Sequence, residues 1–240
     1  MNRTYLTAVP LLGLLLSVAP RSASDEASYL DPEESIIVHA PGDSPCPDGV
    51  LLWHYNPPGL EYVGGFTWHY DGVAPPDYGA FAEGYSGSGT VCGIRLLLTT
   101  LPGSYQGQTL DAYVYDGAGA NPGAVLSLTP DIAVTPPGLF PTLTEHDLDV
   151  ADVVLDGGFF VGFWPDWPGA PCGWWIVGDL GGPGGCPRTK IAPGIGYPEG
   201  WQDPSIVWGP IRALGIGAYL APLPVPTHAS TWGEIKALFR

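Results

Sequence analysis

The chain has 240 residues and carries 24 acidic side chains against eight basic ones, which gives a formal net charge of −16 at pH 7. This balance excludes a nucleic-acid-binding protein, because such proteins need Lys and Arg to displace the counterions of the phosphate backbone. Anionic lipid surfaces are disfavoured as partners for the same reason.

The uncharged part of the composition points to a folded β protein. Glycine and proline are abundant, with 35 and 28 copies, yet 45% of the residues are hydrophobic and 12% are aromatic. Disordered chains lack such aromatic residues, because they do not bury enough apolar area to fold. Many short strands joined by tight turns accommodate both features, so the composition predicts an all-β domain.

The N-terminus has the pattern of a secretion signal over residues 1–24. Arg3 supplies a positive start, residues 5–19 are largely apolar, and the small residues 22–24 suit cleavage before the acidic mature chain. The apolar run is interrupted by Pro10 and is shorter than the roughly 20 residues that span a membrane. We therefore expect a secreted protein, extracellular or at the cell surface or in a periplasm, with no transmembrane segment after signal removal.

Turn residues divide the rest of the chain into short segments. We expect an N-terminal lead-in, loosely held, over 25–49, a β domain over 50–220, a proline-rich linker over 221–229 and a helical tail over 230–240. The apolar segments predict about ten strands, and this number at this spacing favours a two-sheet β-sandwich of jelly-roll type. The predicted strands are 50–56, 61–70, 90–100, 109–116, 124–130, 147–156, 159–164, 173–179, 205–209 and 211–220.

Four cysteines in an exported chain predict two disulfides, for which three pairings exist. None of them forms a C-x-x-C pair, so a zinc site is not expected. We favour Cys172–Cys186, since the intervening segment has the pattern of one strand and its turn, and this leaves Cys46–Cys92.

The tail is the one segment with a clear helical pattern. Thr231 and Glu234 form a capping box. An apolar stripe follows on one helical face, formed by Trp232, Ile235, Leu238 and Phe239. A helix of this length is marginal alone, so the stripe predicts a docking surface or a sorting or attachment partner.

Seven segments across residues 50–220 resemble a set of uncharacterised secreted β-sandwich proteins of environmental bacteria. They are LLWHYN, PPDYGAFAEGY, GTVCGIRLLLTT, QTLDAYVYDGAGANPGAVL, GGFFVGFW, IAPGIGYPEGW and SIVWGP. Similar proteins end in a short tail with the pattern T-W-G-x-I-K, which matches the tail here. The resemblance implies secretion and fold, implies that the tail is a sorting or anchoring element, and assigns no catalytic residue.

Two oxygen-rich stretches are candidates for a structural calcium ion. Glu145, Asp147 and Asp149 alternate, so on a strand they share one face, where three carboxylates repel each other unless they are solvated or bridged by a hard cation. Asp116 and Asn121 bracket a turn of the same chemistry. No other cofactor is expected.

Aromatic residues are the candidates for a ligand surface. Trp164 and Trp167 lie in a ring-rich loop, Trp174 and its neighbour point to opposite faces of a strand, and Trp201 flanks another loop. Exposed rings of this kind hold sugars, whereas buried ones fill a core.

The sequence contains neither the nucleophile-elbow motif of serine hydrolases nor the histidine motif of zinc proteases. It has five histidines. Three functions follow in order of preference. The first is a non-enzymatic extracellular structural or interaction module, with a cell-surface partner. The second is a carbohydrate-binding module that uses loop tryptophans, and the third is an extracellular hydrolase. The oligomeric state is left open.

Overall fold

The structure is a computed structural model that describes residues 29–30, 36–40, 45–55, 62–66, 79–100, 109–165, 175–181, 183–191, 193, 197–207 and 209–223. Strands dominate it, which confirms the predicted β-rich fold class. The elements are β1 (Tyr29–Leu30), β2 (Ile36–His39), β3 (Val50–Leu52), β4 (Tyr62–Phe66), β5 (Phe81–Thr99), β6 (Thr109–Asp116), β7 (Val125–Ala133), β8 (Thr142–Pro165), β9 (Trp175–Asp179), β10 (Pro187–Ile191), β11 (Gly200–Gln202), α1 (Pro204–Val207), β12 (Ala213–Leu214) and β13 (Ile216–Ala221).

A long antiparallel ribbon of β5 and β8 runs through the molecule. Its register extends from Phe81 opposite Phe163 to Leu98 opposite Thr144, with one irregularity near Val91. The sequence predicted two strands in place of β8, with a turn between them at residues 157–158. That prediction was wrong, since these glycines continue the ladder opposite residues 86–87 of β5. Gly157 pairs with Gly87 and Gly158 pairs with Ser86, so the side chains at this point of the ribbon are small or absent.

The other strands attach to different halves of this ribbon. The C-terminal part of β8 pairs with β6, and β6 pairs with β7, which ends the strand order on that side. The start of β5 pairs with β10, which in turn pairs with β11. The later part of β5 pairs with β13, and β13 pairs with β3. At the end of β5, β9 begins a branch that contains β4, β1 and β12.

The main hydrophobic core draws residues from both halves of the ribbon. Phe81, Phe159 and Phe163 come from the half that carries β6 and β10. Ile94 and Ile216 come from the half that carries β13, and all five are fully buried or nearly so. The hydroxyl of Tyr85 on β5 also donates a hydrogen bond to the carbonyl of Ile216, at 2.6 Å.

A second, aromatic cluster lies on the opposite face of β5, β6 and β8. It contains Tyr113 and Tyr115, whose rings stack at 5.4 Å, together with Phe160 and Trp164. This arrangement follows from the alternation of a strand, because residues 112 and 114 point into the main core and residues 113 and 115 point away from it.

The segment predicted as strand 205–209 is instead the short helix α1, so that prediction was wrong. Asp203 precedes the helix, and its side chain accepts a hydrogen bond from the backbone N–H of Ser205 at 2.8 Å. Pro204 then occupies the first helical position, where a missing N–H costs nothing. An aspartate cap followed by proline favours a helical turn over an extended strand.

Part of the segment predicted as a loose lead-in belongs to the sheet. Strand β2 pairs in parallel with the start of β8, and Cys46 forms a disulfide with β5. The predicted signal 1–24, the linker after residue 223 and the predicted tail helix Thr231–Arg240 lie outside the described residues. In the described part of the chain, no helix is long and apolar enough to cross a membrane.

Candidate functional site

The predicted disulfide Cys46–Cys92 is confirmed, with a Cα–Cα distance of 5.7 Å across 46 residues of sequence. Cys186 is half-buried and has no disulfide partner among the described residues. Its predicted partner Cys172 lies outside the described residues, so the second pairing stays a prediction. Burial raises the pKa of the Cys186 thiol, so this group is not an activated thiolate.

The two candidate tryptophans that the structure describes do not form the exposed platform that a sugar-binding surface needs. Trp164 is only 3% exposed and packs in the aromatic cluster. Trp201 is half-buried, with its ring edge against Tyr115 at 5.6 Å and the Lys190 ammonium 5.6 Å from its ring centre. Trp167 and Trp174 lie outside the described residues, so their role stays a prediction.

An arginine holds two of the carboxylates that the sequence suggested for calcium. Arg95 lies opposite Asp147 in the ribbon register, and its Nε and Nη2 atoms donate to the two carboxylate oxygens at 2.7 Å each. Its Nη1 atom lies 3.1 Å from Glu145 Oε2, and Nη2 also donates to the Tyr219 hydroxyl. The third candidate, Asp149, is exposed.

The other oxygen-rich turn is likewise satisfied by the chain itself. The carboxylate of Asp116 accepts a hydrogen bond from the N–H of Ala118 at 3.1 Å. Asn121 Oδ1 accepts one from Arg188 Nε at 2.8 Å, so a guanidinium occupies the place proposed for a cation. Across the described ranges, His, Cys, Asp and Glu side chains do not meet in groups of three or more that suit a metal ion.

A buried carboxylate that sequence reasoning missed joins three distant segments. Glu83, on β5, is fully buried. Its Oε1 atom accepts a hydrogen bond from the N–H of Cys186 at 2.5 Å and lies 3.2 Å from His54 Nδ1. Its Oε2 atom accepts one from the N–H of Leu214 at 2.8 Å. Burial raises the pKa of Glu83, while His54 and the two N–H donors oppose that rise.

The same carboxylate positions a histidine at an open cleft of about 280 Å³. The ring of His54 lies 4.5 Å from the Tyr85 ring, with Nδ1 directed to Glu83. Ser86, Cys186 and the backbone of Gly117 line the cleft as well. A histidine whose Nδ1 is oriented by a carboxylate presents Nε2 for proton transfer or ligand binding.

Close approach of the backbone gives this cleft its shape. A side chain at Gly84 would meet the Phe160 ring at 2.7 Å, and one at Gly185 would meet Glu83 Oε1 at 2.2 Å. Gly117 is held by a hydrogen bond from its N–H to the carbonyl of Gly158. Three glycines therefore allow the Cys186 segment and the β6–β7 turn to sit against the sheet.

A second histidine, His146, is buried in a different place. It faces the core side of β8, and its Nε2 atom has no hydrogen-bond partner within the described residues. Burial lowers its pKa to about 4, which keeps the ring neutral. A small cavity of about 120 Å³ lies beside it, lined by Val134 and Thr135.

The sheet edge at β7 carries three exposed aliphatic side chains within four residues. Val125, Leu126 and Leu128 are each 45% exposed, and β7 pairs only with β6 among the described strands. Leu128 lies opposite Tyr113, so it extends the face that carries the aromatic cluster. Proteins normally protect such an edge, because its unpaired backbone groups attract another strand.

Comparison with known proteins gives no match: no family model, no curated protein and no solved structure is similar to the chain. The chemistry of Glu83, His54 and the β7 edge therefore carries the functional argument alone. The sequence had a weak signal for Glu83, which is a lone carboxylate in a run of apolar and small residues. It had none for the approach of His54 and Cys186, because these residues are 132 positions apart.

Proposed function

We propose that this protein is an extracellular interaction module, built on a two-layer β-sandwich, that holds a partner along the edge of its sheet. One observation carries the proposal, namely the exposed apolar strand β7 at the end of the strand order. Monomeric soluble proteins rarely leave contiguous apolar surface without a use. An edge strand also offers backbone hydrogen bonds to a partner, which is a common mode of peptide recognition.

The two-layer sandwich is supported by the bonds across the main core. Glu83 and Tyr85 are alternate residues on β5, and they bond to the backbone of Leu214 and Ile216 in the half that carries β13. Side chains that reach the backbone of another layer fix the spacing of the layers. A firmly tied scaffold suits a protein whose function is to present a surface.

Export is part of the proposal, and it rests on the signal pattern at 1–24, the resemblance of residues 50–220 to secreted proteins and the disulfide at Cys46. Disulfides form and persist outside the cytoplasm. We propose the tail at 230–240 as the attachment or sorting element. Deletion of residues 227–240 should leave the melting temperature unchanged and release or mislocalise the protein, whereas a fall in melting temperature with unchanged location would show a docked helix instead.

The edge itself is tested by photo-crosslinking in the producing cells. A photoreactive amino acid at position 128 should give a discrete cross-linked species in the extracellular or surface fraction. The matched control is the same residue at position 50, because Val50 is an exposed aliphatic residue on β3, which pairs with β13. Equal products at both positions, or none at position 128, would contradict the proposal.

A second candidate, an extracellular hydrolase, is favoured by the His54–Glu83 pair at the cleft. In this reading His54 is the general base, Glu83 orients it, and Ser86 on the cleft wall supplies the nucleophile. A panel of fluorogenic esters and amides tests it. Turnover that is lost in both His54→Gln and Ser86→Ala would support a hydrolase, and no turnover by the wild-type protein would count against it.

A further inference from the structure

We infer that the partner of the β7 edge is an extended peptide segment with aliphatic side chains on one face and basic side chains on the other. This inference rests on the proposed function and adds the chemistry of the partner. Three features of β7 carry it: its open edge, the difference between its two faces, and the charge around its C-terminal half.

Among the described strands the outer edge of β7 is unpaired, and the strand is irregular at residues 130–131. Residues 125–129 pair on one side with β6. After them come Pro130, which has no N–H to donate, and Asp131, whose N–H donates to Asp111 Oδ1 at 2.9 Å instead of continuing the ladder. Asp131 also has a φ of 54°, and the register with β6 shifts here before pairing resumes at Ile132. An added strand therefore has a defined site of about five residues and a defined stop.

The two faces of β7 require different side chains from such a strand. Val125 and Leu128 point to the face that carries the aromatic cluster, since they lie opposite Tyr115 and Tyr113. The exposed Leu126 lies at the register shift between them. Ser127 and Thr129 point to the other face, since Ser127 lies opposite the core residue Val114. An added strand alternates in the same way, so aliphatic residues meet Val125 and Leu128 and every second residue meets the polar face.

The polar face lies next to acidic residues. The Thr129 hydroxyl accepts a hydrogen bond from the N–H of Ala151 at 3.3 Å, which brings this stretch of β8 beside β7. Asp149 and Asp152 flank Ala151 in the chain, and both are exposed. Asp131 adds a third exposed carboxylate at the end of the strand.

The cations of the described part do not neutralise this region. Arg95 is paired with Asp147, Lys190 lies over Trp201, and Arg212 follows the end of α1. Arg188 contacts the turn at residues 120–121, before β7 begins. The C-terminal half of the edge is therefore acidic, and it favours Lys or Arg on the polar face of a partner.

A second copy of this chain is the competing occupant. The net charge of −16, and the three carboxylates beside this edge, oppose the approach of two copies. The same charges attract a basic segment and speed its association at low salt.

The test uses the full chain and an eight-residue peptide of alternating Val and Lys, with binding followed by fluorescence anisotropy. A peptide of alternating Val and Glu is the comparison. We expect the Val-Lys peptide to bind and the Val-Glu peptide not to bind. We also expect binding to weaken by about tenfold or more when salt is raised from about 0.05 M to about 0.5 M, since screening shortens the reach of surface charges.

Two double variants separate the parts of the inference. Leu126→Ser with Leu128→Ser should abolish binding, and Asp149→Asn with Asp152→Asn should weaken it by roughly fivefold, because exposed charges act weakly one by one. The matched controls are Val50→Ser and Asp48→Asn, which change exposed residues elsewhere and should leave binding unchanged.

Each outcome distinguishes the inference from the function on which it rests. Equal binding of both peptides, lost in the leucine variant, would overturn the charge preference and keep the edge as the interaction surface. Binding that survives the leucine variant, or no binding of either peptide, would overturn the inference. Dimers in sedimentation equilibrium that disappear in the leucine variant would identify a second copy as the occupant and would also overturn it.

Discussion

The carboxylate of Glu83 accepts a hydrogen bond from the backbone N–H of Leu214, which lies 131 residues later in the chain and 2.8 Å away. Two residues further on, Tyr85 donates to the carbonyl of Ile216 across the same sequence separation. The two bonds therefore join alternate residues of β5 to alternate residues of β12 and β13. They fix how one half of the β5–β8 ribbon faces the other.

The first prediction concerns the tyrosine of this pair. Tyr85→Phe removes a buried hydroxyl donor and leaves the Ile216 carbonyl without its hydrogen bond. We therefore expect the free energy of unfolding to fall by about 1–2 kcal/mol. Tyr115→Phe is the matched control, because the hydroxyl of Tyr115 is buried without a partner in the described part of the chain. Removing that hydroxyl should leave stability unchanged or raise it. Urea denaturation measures both, and equal losses would contradict the assignment.

The second prediction concerns stability in acid. The pKa of His146 is lowered by burial from 6.5 to about 4, so the unfolded chain binds this proton more readily than the folded one. The contribution of neutral His146 to the free energy of unfolding is fully present above pH 6.5. It is lost as the pH falls toward 4, by at most about 3 kcal/mol. The raised pKa of Glu83 has the opposite sign, since it costs stability as the pH rises through that pKa.

His146→Leu isolates the acid sensitivity that comes from the buried histidine. The free energy of unfolding of this variant should vary less between pH 6.5 and 4 than that of the wild-type protein. His39→Gln serves as the control, because His39 is 70% exposed in its contact with Glu145. A variant with an unchanged pH profile would show that the buried ring is not the source of the acid sensitivity.

The third prediction concerns the geometry of the Arg95–Asp147 pair. Arg95→Lys keeps the charge but loses the two parallel bonds to the carboxylate and the bond to Tyr219, so we expect a loss of about 1–3 kcal/mol. Arg188→Lys changes an exposed contact and should cost less than about 1 kcal/mol. Thermal melts of the two variants give the comparison. Similar shifts in melting temperature would mean that the two parallel hydrogen bonds of the Arg95 guanidinium add nothing beyond its charge.

The same cluster raises the pKa of the Tyr219 hydroxyl to about 12, mainly through burial and with a contribution from Asp147. Spectrophotometric titration of the tyrosines in Arg95→Lys and in the wild-type protein would report how this environment changes.

The fourth prediction concerns the Cys46–Cys92 disulfide. It closes a loop across 46 residues of sequence, so replacing both cysteines by Ala should lower stability by about 4 kcal/mol. Cys186→Ser is the comparison, as it leaves this bridge in place. Mass spectrometry of unreduced peptides should recover the 46–92 pair and also determines whether Cys172 and Cys186 are joined.

Local patterns predicted the fold class and many elements, and their failures have physical reasons. The strand 109–116 was predicted with the bounds that it has, since its alternation is regular and glycine follows it. Gly157 and Gly158 predicted a turn, but they lie opposite Gly87 and Ser86 in a ladder. A period-two pattern does not show which strand lies alongside, so a glycine in a turn and a glycine in a paired strand look the same.

The candidate site was less accessible to sequence reasoning. The alternation of Glu145 and Asp147 correctly indicated carboxylates that need compensation, but the compensating cation is Arg95 from the facing strand rather than calcium. Trp164 and an exposed Trp have the same local pattern, and only the packing of β6 against β8 shows that Trp164 is buried. Glu83 gains its role from His54 and Leu214, which are distant in the sequence.

Amide hydrogen exchange at β7 tests the central claim most directly. In the isolated protein, the amides of residues 125–129 should exchange faster as a group than those of 110–115 in β6, because β7 pairs only with β6 among the described strands. Addition of the Val-Lys peptide should slow exchange at 125–129 and leave the strands around the His54 cleft unchanged. Protection that appears at the cleft and not at β7, or a β7 already as protected as β6, would contradict the account.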